Sequence, residues 1–176
     1  YARFITKFLF DKGLSPVEEP FARLFTQGMI TLDGAKMSKS KGNVIPPDGY
    51  YEDYGADSVR MFELFVGPPT DDAVWNDNGV AGTSRFLDRI WRMGTDDFDW
   101  SDREEDDRDN ELLSETHRAI RKVTDDIDRF HFNTAVPALM TLANEFSNYL
   151  GDSPRKETFG GAYEKMLLML SPMAPH

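Results

Sequence analysis

The chain has no cysteine among its 176 residues, which excludes disulfides and thiolate metal sites and fits a reducing compartment. It has no apolar run approaching the roughly 20 residues of a membrane helix, so no membrane partner is expected. A signal peptide is not expected either: Lys7 interrupts the short aromatic stretch "YARFITKFLF", and no small-residue cleavage site follows. Histidine is scarce, and His117 and His131 have no ligand partners at metal-binding spacing, so no metal site is expected. No internal repeat is visible. Positive charge is short too: 20 basic residues face 31 acidic ones, for a net charge of −11, which by itself argues against a nucleic-acid partner.

The distribution of charge alters that reading. Between Asp96 and Glu111 ten acids stand against two arginines, so this stretch carries −8 and the other 160 residues only −3. Blocks of like charge are usually solvated linkers. The run 96–110 therefore predicts an acidic linker between an N-terminal part, 1–95, and a C-terminal part, 111–176. A chain of this length can bury a sizeable core, and its 40% hydrophobic content argues against global disorder. It opens on Tyr1 and closes on "LSPMAPH", and it reads as a piece of a longer protein.

The N-terminal part reads as mixed α and β. Residues 1–11 predict a helix closed by Gly13, and "LFTQGMITL" (24–32) a strand turning at Asp33–Gly34. Lys36 to Asn43 reads as a loop. A short helix opened by Pro46 and Pro47 breaks at Gly55. Next comes a helix capped by Asp57 that buries Val59, Phe62, Leu64 and Phe65. Residues 78–93 predict a further helix. In the C-terminal part, Leu113, Thr116, Ile120, Val123, Ile127 and Phe130 recur at steps of three and four, the stripe of a packed helix. Asn133 is read as the cap of a second helix, with Pro137 in its first turn and Val136, Leu139, Ala143, Phe146 and Leu150 facing inward. A third helix covers roughly 156–170. Short connections make this a helical bundle.

One segment carries chemistry. "DGAKMSKSKGN" (33–43) places Lys36, Lys39 and Lys41 within six residues, separated by Met37, Ser38 and Ser40 and flanked by Gly34 and Gly42. Lysines are ammonium point charges on flexible stems, suited to phosphate contacts that form and break during a reaction. The spacing is not a Walker A loop, because Gly34 is followed by Ala35. On composition alone, a solvated turn and a phosphate-handling loop both remain open.

The string "KMSKS" (36–40) resembles the signature of class I aminoacyl-tRNA synthetases. "QGMI" before it, "KGNVIPP" after it and "YGADSVRMFELF" (54–65) resemble the leucyl, isoleucyl, valyl and methionyl subgroup. "YARF", "EPFARLFTQGMI", "PPTDDAVW" and "GVAGTSRFLDRIWRM" look like the leucyl branch of that family. "RFHFNTAVPALM" (129–140) and "LSPMAPH" are similar to its helical anticodon-binding domain.

The resemblance implies an α+β, mainly helical fold. The end of a Rossmann-type catalytic domain, with the KMSKS loop and stem-contact fold, would precede a helical-bundle anticodon-binding domain. It implies ATP-dependent activation of leucine and transfer to tRNA(Leu), with Mg2+ accompanying ATP, in a monomeric cytoplasmic parent. By motif position Lys39, then Lys36, would stabilise the departing pyrophosphate. Met37, Ser38 and Ser40 would complete the ATP-binding loop, Met37 as an apolar anchor, while Lys41 lies outside the motif. Arg118, Arg121, Lys122 and Arg129 would face tRNA, although a solvated helix face would carry the same residues. Asp57 and Arg60 read as a cap and an ion pair, and Trp75, Trp91 and Trp100 as packing. A His-Ile-Gly-His-like motif is absent, so the chain alone is expected to be inactive. A valyl or isoleucyl relative, or a non-catalytic tRNA-binding module, are the alternatives.

Overall fold

Side-chain caps open only α4 (Asp77–Thr95), at Asn76, and α5 (Asp107–Asp128), at Asp106, in the computed structural model, which describes residues 1–176. In chain order the elements are α1 (Ala2–Asp11), β1 (Ile30–Leu32), β2 (Ala35–Lys36), a 3-10 turn (Lys39–Lys41), α2 (Asp48–Tyr54), α3 (Ala56–Phe65), β3 (Ala73–Val74), α4 (Asp77–Thr95), α5 (Asp107–Asp128), α6 (Phe132–Leu150) and α7 (Lys156–Leu170). The mainly helical α+β architecture expected from the sequence is present. One cluster of 19 buried residues draws on α3 through α7, from Met61 to Met173, so the N- and C-terminal parts share a core. Val59, Phe62 and Val80 form a smaller satellite packed with Tyr50 and Trp75.

The sheet is minimal, with strand order β2-β1-β3. β1 pairs antiparallel with β2 across a turn in which Asp33 and Gly34 both have positive φ, as a tight hairpin requires. β1 also pairs in parallel with β3. The strand predicted over 24–32 is therefore only three residues long. Its first half is held by other partners: the Gly28 N–H donates to the Pro69 carbonyl (2.8 Å) and the Met29 N–H to Asp72 Oδ1 (2.8 Å). Phe25 stacks on Phe130 with ring centroids 4.8 Å apart.

The first bundle helix departs from its predicted stripe by about one position. α5 buries Asp109, Leu112, Thr116, Ala119, Val123 and Asp126, while Leu113, Ile120 and Ile127 are only half-buried and Phe130 is exposed. Two acids displaced the apolar pattern because each is held by hydrogen bonds and an ion pair, the condition under which a charge can be buried. Asp126 accepts from Lys122 Nζ (2.5 Å) and Thr134 Oγ1 (2.8 Å). Asp109 accepts from Arg103 (2.6 Å), the Tyr149 hydroxyl (2.5 Å) and the Asp106 N–H (2.9 Å). Burial pushes the Asp109 carboxyl up, but the bonds from Arg103, Tyr149 and Asp106 outweigh it and hold the group well below the usual carboxylate range.

Thus the acidic run is not a solvated linker throughout. Asp106 caps α5 in a reciprocal capping box with Asp109. Trp100 leans on Phe159 (5.8 Å), and the Ser101 N–H donates to the Pro154 carbonyl (2.8 Å). Other expectations shift as well. Met61 is fully buried in α3, where Leu64 and Phe65 are half-buried. Gly55, not Asp57, is the N-cap of α3. Asp57 instead accepts the His176 backbone N–H (2.7 Å), and Arg60 donates to the carbonyls of Pro172 and Met173. His131 rather than Asn133 precedes α6, and Pro137 lies inside it. Trp75 packs edge-on against Phe62, but Trp91 is 69% exposed and packs little.

Candidate functional site

The hairpin strand β2 carries Lys36 at its end and launches the loop directly from the sheet. Ser38 has extended backbone angles, and residues 39–41 then wind into one 3-10 turn that ends where Gly42 takes φ +67. A β-carbon is disfavoured at that angle, so glycine suits the position. Within the turn the Lys41 N–H donates to the Ser38 carbonyl (3.1 Å) and the Gly42 N–H to the Lys39 carbonyl (3.2 Å). The hydroxyls of Ser38 and Ser40 lie 3.2 Å apart. Lys36, Lys39 and Lys41 are all exposed, and none joins any of the chain's salt bridges. In so acidic a protein, free ammonium groups at Lys36 on the strand and at Lys39 and Lys41 on the turn leave charge available for an external anion. Met37 and Ser38 are half-buried beneath them.

The platform under this turn is stiff. Gly28 packs so closely on the following segment that a β-carbon there would sit 2.0 Å from the Asp71 carbonyl oxygen. Backbone bonds from Ala73 to Met29 (3.0 Å) and Trp75 to Thr31 (2.9 Å) fasten the hairpin to β3. β3 leads into α4 through Asp77, which accepts from the Tyr50 hydroxyl (2.5 Å) and Trp75 Nε1 (2.7 Å). Those bonds lower the Asp77 carboxyl and raise the Tyr50 phenol, and the Tyr50–Asp77 bond ties α2 to α4.

The structure brings Arg118, Arg121 and Lys122 together on one exposed face of α5, beside Ser114, His117 and Asp125. Arg129 stands apart, at the C-cap of the helix. The three cations of this face differ in availability. Arg118 is paired with Glu115 and Lys122 with Asp126, whereas Arg121 has no carboxylate partner.

Sequence reasoning missed Asn43. Its side-chain oxygen accepts the Ser38 N–H (2.8 Å) and its amide nitrogen donates to the Lys36 carbonyl (3.2 Å). An asparagine directly after a glycine is a frequent turn residue, and that was the available signal.

Comparison with known proteins fits this geometry. The family model for tRNA synthetases class I (I, L, M and V) matches residues 8–76, and that for the anticodon-binding domain of tRNA ligases matches 109–176. Leucine–tRNA ligases from Syntrophobacter fumaroxidans and Thermotoga petrophila are 47% and 45% identical across the whole chain. The chain spans only 23% of the length of each. Among solved structures, the ternary complex of Agrobacterium radiobacter K84 LeuRS with tRNA and LeuAMS superposes with a TM-score of 0.84 at 35% identity, covering all of this chain and 24% of that one. Methionyl-tRNA synthetase from Mycobacterium tuberculosis, in complex with methionyl-adenylate, shares the fold at a TM-score of 0.68 and 20% identity, over 98% of this chain and 39% of that one.

Proposed function

Because the chain belongs to the class I tRNA synthetases and aligns along its whole length with leucine–tRNA ligases, we propose that it forms the KMSKS-loop region and anticodon-binding helices of such a ligase. Residues 1–95 would be the end of the catalytic domain with its stem-contact region, 96–110 the connection, and 111–176 the start of the anticodon-binding domain. The reaction is activation of leucine: its carboxylate oxygen attacks the α-phosphorus of ATP, and pyrophosphate leaves. The leucyl group then passes to the 3′-terminal ribose of tRNA(Leu), releasing AMP.

The observation that carries this reading is the turn of free lysines on a rigid hairpin. Negative charge grows on the departing phosphates, so a cation placed to meet it there lowers the barrier by about 3–4 kcal/mol per contact. Lys39 takes that role first and Lys36 second, with Met37, Ser38 and Ser40 shaping the ATP-binding loop. Residues 36–43 hold no carboxylate, the ligand class Mg2+ favours, so the loop itself does not fit a Mg2+ site. Arg118, Arg121, Lys122 and Arg129 would meet tRNA phosphates, Arg121 with least competition. A monomeric, cytoplasmic protein is expected.

The test is ATP–pyrophosphate exchange by the full-length protein carrying this chain, with leucine, valine and isoleucine in turn. Leucine should support the fastest exchange. Faster exchange with valine or isoleucine, or none with leucine, would overturn the assignment.

A further inference from the structure

Beyond the lysines, we infer that Asn43 is a positioning residue, an amide latch that fixes the geometry of Lys39 for the activation step. The inference rests on the reading of residues 36–40 as a phosphate-handling loop.

Backbone connectivity alone leaves the loop loosely defined. Between the end of β2 at Lys36 and the start of α2 at Asp48, regular structure amounts to one 3-10 turn. That turn is internal: its bonds join Ser38 to Lys41 and Lys39 to Gly42, so they shape the turn without orienting it against the sheet. Asn43 supplies the missing connection. Its two bonds reach backbone groups on either side of Met37, the Lys36 carbonyl in the strand and the Ser38 N–H at the base of the turn. The seven-residue excursion becomes a closed ring with Lys39 at its far side and β2 at its foot.

The chemistry of this latch is specific. An asparagine amide presents one acceptor and one donor pair, and here each end meets the complementary backbone group. Aspartate of the same shape keeps the acceptor for the Ser38 N–H but faces the Lys36 carbonyl with another oxygen. Alanine loses both bonds. Asn43 is half-buried and Gly42 allows the left-handed angle just before it, so the amide is held in place. A lysine that must meet charge developing on a phosphate gains from such orientation, because misplacement by about an ångström can cost about a hundredfold in rate.

The experiment measures leucine-dependent ATP–pyrophosphate exchange in the full-length protein for wild type, Asn43→Ala, Asn43→Asp and Lys39→Ala. Thermal unfolding and tRNA binding are recorded for each. Asn43→Ala should lower kcat at least tenfold while leaving the leucine KM, the unfolding midpoint and the tRNA Kd unchanged. Asn43→Asp should recover part of the lost kcat. If Lys39→Ala collapses exchange and Asn43→Ala does not change kcat, the latch is wrong and the loop reading stands. If Lys39→Ala leaves exchange intact, the loop reading itself fails. Loss of folding or of tRNA binding in Asn43→Ala, with no recovery in Asn43→Asp, would make Asn43 merely structural and overturn the inference.

Discussion

Replacing Asp109 with asparagine removes a charge that the fold has fully buried while barely changing side-chain volume. Its two oxygens accept three strong bonds: the Tyr149 hydroxyl on one, Arg103 and the Asp106 N–H on the other. Asparagine offers one neutral acceptor oxygen: kept on Arg103 and the Asp106 N–H, it leaves its NH2 facing Tyr149, whose hydroxyl must turn from donor to acceptor. Breaking one side of a buried, hydrogen-bonded ion pair costs about 3–5 kcal/mol. The capping-box bond, about 1 kcal/mol alone, shares an oxygen with the Arg103 bond and does not add in full. We expect a loss of ~3 kcal/mol, or about 6–12 °C in unfolding midpoint for a chain of this size. Trp100, tilted against Phe159, gives urea or thermal unfolding a fluorescence signal close to the network.

The pH dependence adds a second readout. The folded Asp109 carboxyl is depressed, so its stabilisation is complete above the ordinary carboxylate pKa, near pH 4, and is lost as pH falls toward the lower folded value. Wild type should lose stability steeply below pH 4, and Asp109→Asn less so, with a constant gap between them above pH 5. Glu19, held at about 2 by bonds from Arg3 and Lys7, titrates alike in both proteins and cancels. A variant within 1 kcal/mol of wild type and sharing its acid slope would refute the reasoning.

Two further perturbations separate platform from partner. Gly28→Ala would force a β-carbon to 2.0 Å from the Asp71 carbonyl oxygen, so β1 must shift from the neighbouring segment. We expect a loss of about 1–3 kcal/mol, measured by urea unfolding, and an unchanged midpoint would contradict so close an approach. On α5, Arg121→Ala should weaken tRNA binding and lower the salt slope by about 1, whereas Arg118→Ala and Lys122→Ala should do less because their carboxylate partners already compete. Binding titrations at several salt concentrations decide it; the opposite order would remove this face of α5 from the interface.

What could be read from residues alone followed what is local. The KMSKS string, the helices opened by Pro46 and Pro47 and expected over 78–93 and roughly 156–170, and the inward face of α6 at Val136, Leu139, Ala143 and Phe146 depend on nearest neighbours and periodicity and stand in the fold, although Leu150 on that face is only half-buried. The α5 stripe slipped because a hydrophobicity pattern cannot foresee buried acids. Asp109 and Asp126 are inside only because Arg103, Tyr149 and Thr134 come from elsewhere to meet them. The strand at 24–32 was overextended because Phe25 is engaged by Phe130, more than a hundred residues away. At the site, the lysines announced themselves by charge. Asn43 did not, since its two bonds exist only once the loop has closed.

The most direct test of the central claim is the rate of leucine-dependent ATP–pyrophosphate exchange by Lys39→Ala in the full-length protein, relative to wild type. A contact of about 3–4 kcal/mol with the departing phosphates predicts a fall of about two to three powers of ten. A rate within about threefold of wild type would contradict the assignment of Lys39, and with it the reading of this turn as the phosphate-handling half of an active site.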